Sequence, residues 1–410
     1  MFEAFRERDY RAFWTTQFIS NIGSWMQTVA QGWLVYRLTD SPFLLGFVGF
    51  ASSVPSFFLM LPGGVVADHF DRRRVVSASQ WAQALSALFL AVAIKTGQIS
   101  VWQIILASLV VGVAISFSAP AWQAMVVDLL DDRSRLSNAV AMNSLQFNLS
   151  RVLGPLLAGL TLAAWGSFWC FLFNAVSFLP LIFVLGRLTK RHHPQQPTAK
   201  LWALLAEGFA FARGDRVVLL ALVIVAAASL FGYPYLTIMP MVARILYGHD
   251  DARGLSWLMG GVGAGALIGS AALSMAALPS RRIMPLIYAC IAAFGVALSG
   301  VALIRDHAAV IALLAVCGGA MVVGVALCNT SIQQRVPDAM RGRVLSMYTF
   351  AFFGFLPFGQ LVAGILAEHN GLAPAMLFMA VGTVVAVGIA VPALGRAKAR
   401  PTLGVDHGQM

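Results

Sequence analysis

A chain of 410 residues that is 59% hydrophobic and only 11% charged cannot hide its apolar surface in a soluble core, because an ordinary soluble domain is about 25% charged. The net charge of +11 argues for topology rather than nucleic acid, since the basic residues sit in short stretches between apolar runs and not along one soluble face. The four cysteines, Cys170, Cys290, Cys317 and Cys328, fall inside apolar runs without CxxC spacing, so packing thiols are expected, with no disulfide framework, no metal and no cofactor.

Met1 to Arg11 alternates acids and bases. The apolar run after it is too long for a signal-peptide core and lacks a small-residue cleavage site, so it is expected to remain as the first span. Apolar windows between charge clusters predict spans near residues 13–36, 43–67, 75–94, 101–127, 137–163 and 167–186. Each is long enough to cross about 30 Å of hydrocarbon as a helix, and helix is required because lipid offers backbone amides no partner. Residues 187–215 then form a basic, Pro-marked linker, with an amphipathic helix expected around Leu201 to Phe211. Six more windows follow, near 217–242, 254–278, 283–304, 308–333, 344–367 and 372–394.

Placing the linker and both termini on one side puts 22 of the 28 Lys and Arg residues there. Five lie opposite (Arg37, Lys95, Arg244, Arg253, Arg305) and Arg151 lies within a span. The positive-inside rule makes the crowded side cytoplasmic.

The two halves repeat each other. LGPLLAG at Leu153–Gly159 answers FGQLVAG at Phe358–Gly364, GVAI at Gly112–Ile115 answers GVAL at Gly324–Leu327, and Arg133, Ser134, Arg135 answer Arg341, Gly342, Arg343. Duplication of this kind marks transporter folds. The expected architecture is all-α, with twelve transmembrane helices in two pseudo-symmetric six-helix bundles: residues 1–186, a linker at 187–215, residues 216–395, and a tail at 396–410.

In the first span, Gln17, Asn21, Ser24, Thr28 and Gln31 share one helical face, a polar stripe about 21 Å long. It reads either as the wall of a wet cavity or as hydrogen bonding between helices. Arg151 is a charge near the middle of the fifth span, which is a functional hypothesis by default: a ligand for an anionic or catecholate-like substrate, or a structural pin near the kink expected at Gly154, Pro155 and Gly159. Tyr233, Pro234, Tyr235 and Pro240 predict a kinked outer end for the seventh span, serving as a gate or as interfacial belt aromatics. Asn329 and Gln333 are candidates to face Gln17 or Asn143 across a cavity. Asp128 stands at the inner end of the fourth span, either as a proton carrier or as a loop acid paired with Arg133 or Arg135.

Between the second and third spans lies GGVVADHFDRRRV, Gly63 to Val75. Gly64 permits close helix approach, Asp68 can accept hydrogen bonds at a neighbouring helix N-terminus, and Arg72, Arg73 and Arg74 can pair with acids or lipid phosphates. On these residues the chain resembles the major facilitator superfamily, whose pattern in this loop is close to G-x-x-x-D-x-x-G-R-K. Gly64, Asp68, Arg72 and Arg73 match it, while Asp71 replaces the second glycine. The opening SNIGSWMQTVAQGWLVYRLTDSPFLLG and the arginine-rich loop resemble the bacterial enterobactin exporter-like, or transmembrane secretion effector, branch. Gly154, Pro155 and Gly159 partly match an exporter pattern in the fifth span, with Ala158 where that pattern has glycine. The resemblance implies that Asp68 belongs to a cytoplasmic gate, with Gly64, Arg72, Arg73, Asp128, Arg341 and Arg343 around it.

The function expected from these readings is secondary active export, by alternating access, of a small amphipathic or anionic organic compound. Protons are the coupling ion that the resemblance implies, although the spans carry no central acid and lack the fourth-span arginine of many proton-coupled members. A monomer in contact with membrane lipids is expected. A lipid or lysophospholipid flippase of the same fold is the alternative, and a non-transporting receptor or scaffold the rival from another class. Nothing groups a nucleophile with a base, so no catalytic residues are expected.

Overall fold

The computed structural model describes residues 3–188, 201–248, 252–276 and 278–395. For a few residues inside elements, Asp68 and Arg133 among them, only the backbone is described. Residues 189–200 of the expected linker and the whole tail at 396–410 lie outside this set. Among the described residues every regular element is a helix.

The first half runs α1 (Arg8–Thr39), α2 (Pro42–His69), α3 (Arg72–Lys95), α4 (Val101–Asp128), α5 (Leu136–Trp165) and α6 (Ser167–Arg187). Helix starts follow local chemistry. The Ser41 hydroxyl accepts from the N–H of Leu44 ahead of Pro42, Asp71 caps α3, and Ser100 with Gln103 makes a capping box on α4. The linker helix α7 spans Leu201–Gly214, somewhat longer than expected.

The seventh span is broken. It begins as α8 (Arg216–Ala227), loosens to a π turn over Ala228–Gly232, tightens to a 3-10 turn over Tyr233–Leu236 and resumes as α9 (Met239–Tyr247). Pro234 and Pro240 remove two amide donors from this stretch, which is why the ladder changes register here. The remaining spans are α10 (Ala252–Met275), α11 (Ser280–Leu303), α12 (His307–Arg335), α13 (Asp338–Asn370) and α14 (Leu372–Gly395).

Among the described residues, eleven helical stretches, the α8–α9 run among them, are long and apolar enough to cross a membrane by length and composition. The twelfth span is α1, whose 32 residues reach about 48 Å. Its polar stripe lowers its hydropathy, and it is tolerated because α1 packs along α5 and α6 and not only against lipid.

The repeat is visible in the packing. Gly154 lies against Ile22 and Trp25 of α1, and its counterpart Gly359 lies against Leu230 and Pro234 of the seventh span. Gly159 meets Ser256 of α10, and Gly364 meets Gly46 of α2. Even the ends correspond, for α5 stops at Gly166 (φ 85°) and α13 at Gly371 (φ 83°), a left-handed setting that glycine adopts without a Cβ clash. The seams between the halves are therefore α5 on α10 and α2 on α13.

These seams close one end of the molecule more than the other. At the end away from the linker, a single apolar cluster draws on both halves, with Trp33, Leu45 and Phe171 from one and Tyr235, Met239 and Phe294 from the other. Toward the linker end the core divides. One cluster holds Tyr10, Phe13, Met125 and Leu181 of the first half, and a separate one holds Val218, Ile287, Ile332 and Val344 of the second. Apolar packing is thus shared between the halves at one end and held separately within each half at the other, an arrangement termed the wedge.

Candidate functional site

Arg151 sits deep in the wedge. It is 9% exposed, and its guanidinium carbon lies 5.7 Å from the ring centres of both Trp25 on α1 and Tyr233 in the second half. Trp25 is steadied by an edge contact with Phe147, at 5.9 Å between ring centres, and Tyr233 by one with Phe352, at 5.0 Å. The next residue, Val152, packs beside Gly263 of α10. The only central cation predicted in a span thus stands where the halves meet, boxed by aromatic faces that favour a positive charge.

Pro155 does not break α5, which runs unbroken from Leu136 to Trp165. Gly154 and Gly159 are close-packing positions, one toward α1 and one toward α10.

The polar stripe of α1 divides its duties. Gln17 is 8% exposed, and its amide donates to Asn21 Oδ1 at 2.9 Å. Gln31 donates to the Ser108 hydroxyl of α4 at 3.0 Å, so this member ties two helices together. The Ser24 hydroxyl bonds back to its own helix at Ser20, while Thr28 is exposed and bonds to Ser24. Half-buried Asn143 accepts from the Tyr10 hydroxyl at 3.0 Å, which draws it to the base of α1 rather than across toward α12. On α12, exposed Gln333 donates to half-buried Asn329.

Tyr233 and Tyr235, read together from sequence, separate in space. Tyr233 faces Arg151, but Tyr235 is 1% exposed and packed edge-on against Phe294, inside the shared apolar cluster. The 3-10 turn explains this, since side chains two apart there point in different directions.

At the linker end two details differ from expectation. Space for a Cβ is open at Gly64, whereas Gly63 abuts the Ser116 carbonyl of α4. Gly63 is thus the glycine that lets α2 and α4 approach, the two being neighbours whose faces periodicity alone could not rank. Asp128 pairs with Arg72 at 2.8 Å. Arg135 reaches Glu7 at 2.7 Å and Asp132 at 3.5 Å. Folding α3 antiparallel to α4 brings Arg72 to the end of α4, which chain separation hides. Arg73 bonds Asp71 at 3.0 Å and the Leu188 carbonyl, Arg343 pairs with Glu207 of α7, and Arg341 is exposed. The Asp68 side chain lies outside the described set. Burial alone would push the Asp71 carboxyl up, but hydrogen bonds from Arg73 and the charges of Arg73 and Arg74 outweigh it and hold the group below the usual carboxylate range.

Several residues were missed from sequence. Gln27 accepts from Asn174 of α6 at 2.7 Å, and Gln146, 1% exposed, donates to the Trp14 carbonyl at 2.6 Å. Both sit off the stripe that periodicity selected. Trp25 read as an ordinary apolar residue, and nothing local marks it as a partner of Arg151. Among the described residues, no three His, Cys, Asp or Glu side chains group to hold a metal.

Comparison with known proteins agrees with this architecture. Residues 1–401 match the family model described as transmembrane secretion effector. The staphyloferrin A transporter of Staphylococcus aureus is 25% identical over 386 residues, 91% of this chain and 93% of that protein. The multidrug efflux pump Tap of Mycobacterium tuberculosis is 27% identical over 403 residues, 94% of each. Among solved structures, an inward-facing, unoccupied bacterial homologue of the human lysosomal transporter Spinster superposes with a TM-score of 0.73 at 15% identity, over 96% of this chain and 98% of that one, a likeness of fold. The chain therefore belongs to the transmembrane secretion effector family of the major facilitator superfamily, whose members are membrane transporters and not enzymes.

Proposed function

We propose that this transporter exports a small amphipathic or anionic organic compound, siderophore- or drug-like, by alternating access between halves spanning residues 1–186 and 216–395. The observation that carries this reading is Arg151, a buried cation at the junction of the halves, 5.7 Å from an aromatic ring on each side. A guanidinium flanked by rings carries five planar N–H donors, so donors not taken by its neighbours can bond a carboxylate or catecholate. The aromatic walls suit the apolar part of such a molecule.

The linker and both termini are assigned to the cytoplasm on the positive-inside rule, so the parted end of the wedge opens inward. Gln17, Asn21, Thr28, Asn143, Asn329 and Gln333 supply polar surface along the route, and the linker-end loop with Arg72, Arg73 and Asp128 acts when that end closes. The relatives support export: one is called a multidrug efflux pump and another a staphyloferrin A transporter. Protons are proposed as the coupling ion.

The test is flux from proteoliposomes at defined pH gradients, comparing a catecholate, a lipophilic organic anion and a cationic dye. The reading expects anion flux that responds to the gradient and is lost in Arg151→Ala. Equal flux of all three probes in that variant would remove the substrate assignment.

A further inference from the structure

At the end away from the linker, the halves are tied by charges as well as by packing. α1 is capped by Asp40, whose φ of 53° is left-handed, a conformation that aspartate and asparagine adopt more readily than other residues besides glycine. Its backbone N–H donates to the Tyr36 carbonyl at 2.8 Å. From there its carboxylate meets the guanidinium of Arg244 in α9, which also lies 5.2 Å from the Tyr36 ring. Nearby, Glu368 at the end of α13 accepts from the Ser41 hydroxyl at 2.8 Å and from the backbone N–H of Phe43 at 3.0 Å. The second half thus supplies a carboxylate to the N-terminus of α2 in the first, where unpaired N–H groups and the helix dipole favour negative charge. Both links cross between the halves, whereas at the linker end Arg72–Asp128 and Arg135–Glu7 each stay within the first half and Arg343–Glu207 ties α13 to the linker helix.

We propose that the Asp40–Arg244 pair and the Glu368 cap on α2 form a two-point latch that holds this end shut and sets how often it opens. The inference rests on the reading of the protein as an alternating-access transporter and names the residues that weight one of its states. Opening this end draws α13 from α2, so Glu368 leaves the first turn of α2 and its donors turn to water, as Asp40 and Arg244 do. These groups are partly solvated in either state, so each link biases the equilibrium rather than locking it. Loss of a helix cap or of an exposed pair corresponds to about a three- to tenfold shift in a two-state population.

The test reads conformation in the full-length protein in lipid nanodiscs, without substrate. Spin labels on Gln98→Cys in the first half and Ala308→Cys in the second, both exposed at this end, report the separation of the halves by pulsed electron resonance. Asp40→Asn tolerates the left-handed backbone and removes only the charge, and Glu368→Ala removes the cap. Each is expected to raise the widely separated population three- to tenfold, and combining Asp40→Arg with Arg244→Asp to return it toward the starting value. Should Asp40→Asn not insert, Arg244→Gln reads the same link. Unchanged distance distributions in the single variants would overturn the latch. Because no substrate is used, a wrong substrate assignment leaves this result standing, and a failed latch leaves that assignment standing.

Discussion

The guanidinium of Arg151, on α5 of the first half, lies 5.7 Å from the ring centre of Tyr233 in the second. The same guanidinium lies 5.7 Å from Trp25 of its own half, so a buried cation is shared by an aromatic face from each side of the wedge. Each such contact contributes about 2 kcal/mol when desolvated. Any motion that parts the halves separates Arg151 from Tyr233 while leaving Trp25 in place, which makes the cation sensitive to the conformational state.

Replacing Arg151 by alanine is expected to abolish flux while leaving membrane insertion intact. Arg151→Lys keeps the charge but loses the planar guanidinium and its forked donors, so its flux should fall between that of Arg151→Ala and that of the parent. Flux into vesicles at matched protein content checks this, and normal flux in Arg151→Ala would take the residue out of the mechanism.

The glycine seams give a second expectation. Gly159 faces Ser256, and Gly364 faces Gly46, with no room for a side chain at either. Gly159→Leu or Gly364→Leu should hold the joined end apart and reduce flux at least about tenfold through overpacking. Thiol labelling of Ser256→Cys on the Gly364→Leu background should rise; protection equal to that of the parent would contradict the seam.

Gly63 and Gly64 are adjacent but unequal. Gly63→Leu drives a side chain into the Ser116 carbonyl and should destabilise the protein by about 1–3 kcal/mol. Gly64→Leu meets open space and should stay within about 0.5 kcal/mol. Melting in detergent compares the two, and the reverse order would refute the packing described for α2 and α4.

Asp71 predicts an acid limb to stability. Its carboxyl lies below the ordinary range in the folded state, while the unfolded value is about 3.9. A depressed carboxylate stabilises the fold above the unfolded value, and that contribution disappears as pH falls through the folded one. The melting temperature should therefore hold between pH 7 and about 5 and drop below about 4. Asp71→Asn should flatten part of that drop; an unchanged acid profile would show that the cap on α3 does not contribute.

Composition and charge spacing were enough to determine the membrane class, the twelve spans and the pseudo-repeat, because solvation by hydrocarbon acts on each segment separately and leaves its mark in local runs. The break in the seventh span was legible for the same reason, since Pro234 and Pro240 act on their own backbone. Arg151 stood out as a lone charge in an apolar window, although nothing in its neighbourhood named Trp25 and Tyr233 as its partners.

Only the tertiary structure decided which candidates meet. It put Asp128 on Arg72, sent Tyr235 into the core while Tyr233 faced the cation, gave close packing to Gly63 instead of Gly64, and tied Gln31 to Ser108. It also joined Asp40 to Arg244 and Glu368 to the start of α2. Those pairings join residues distant in the chain, set by how helices cross and which faces they turn inward, and periodicity on a single helix carries no information about the helix beside it.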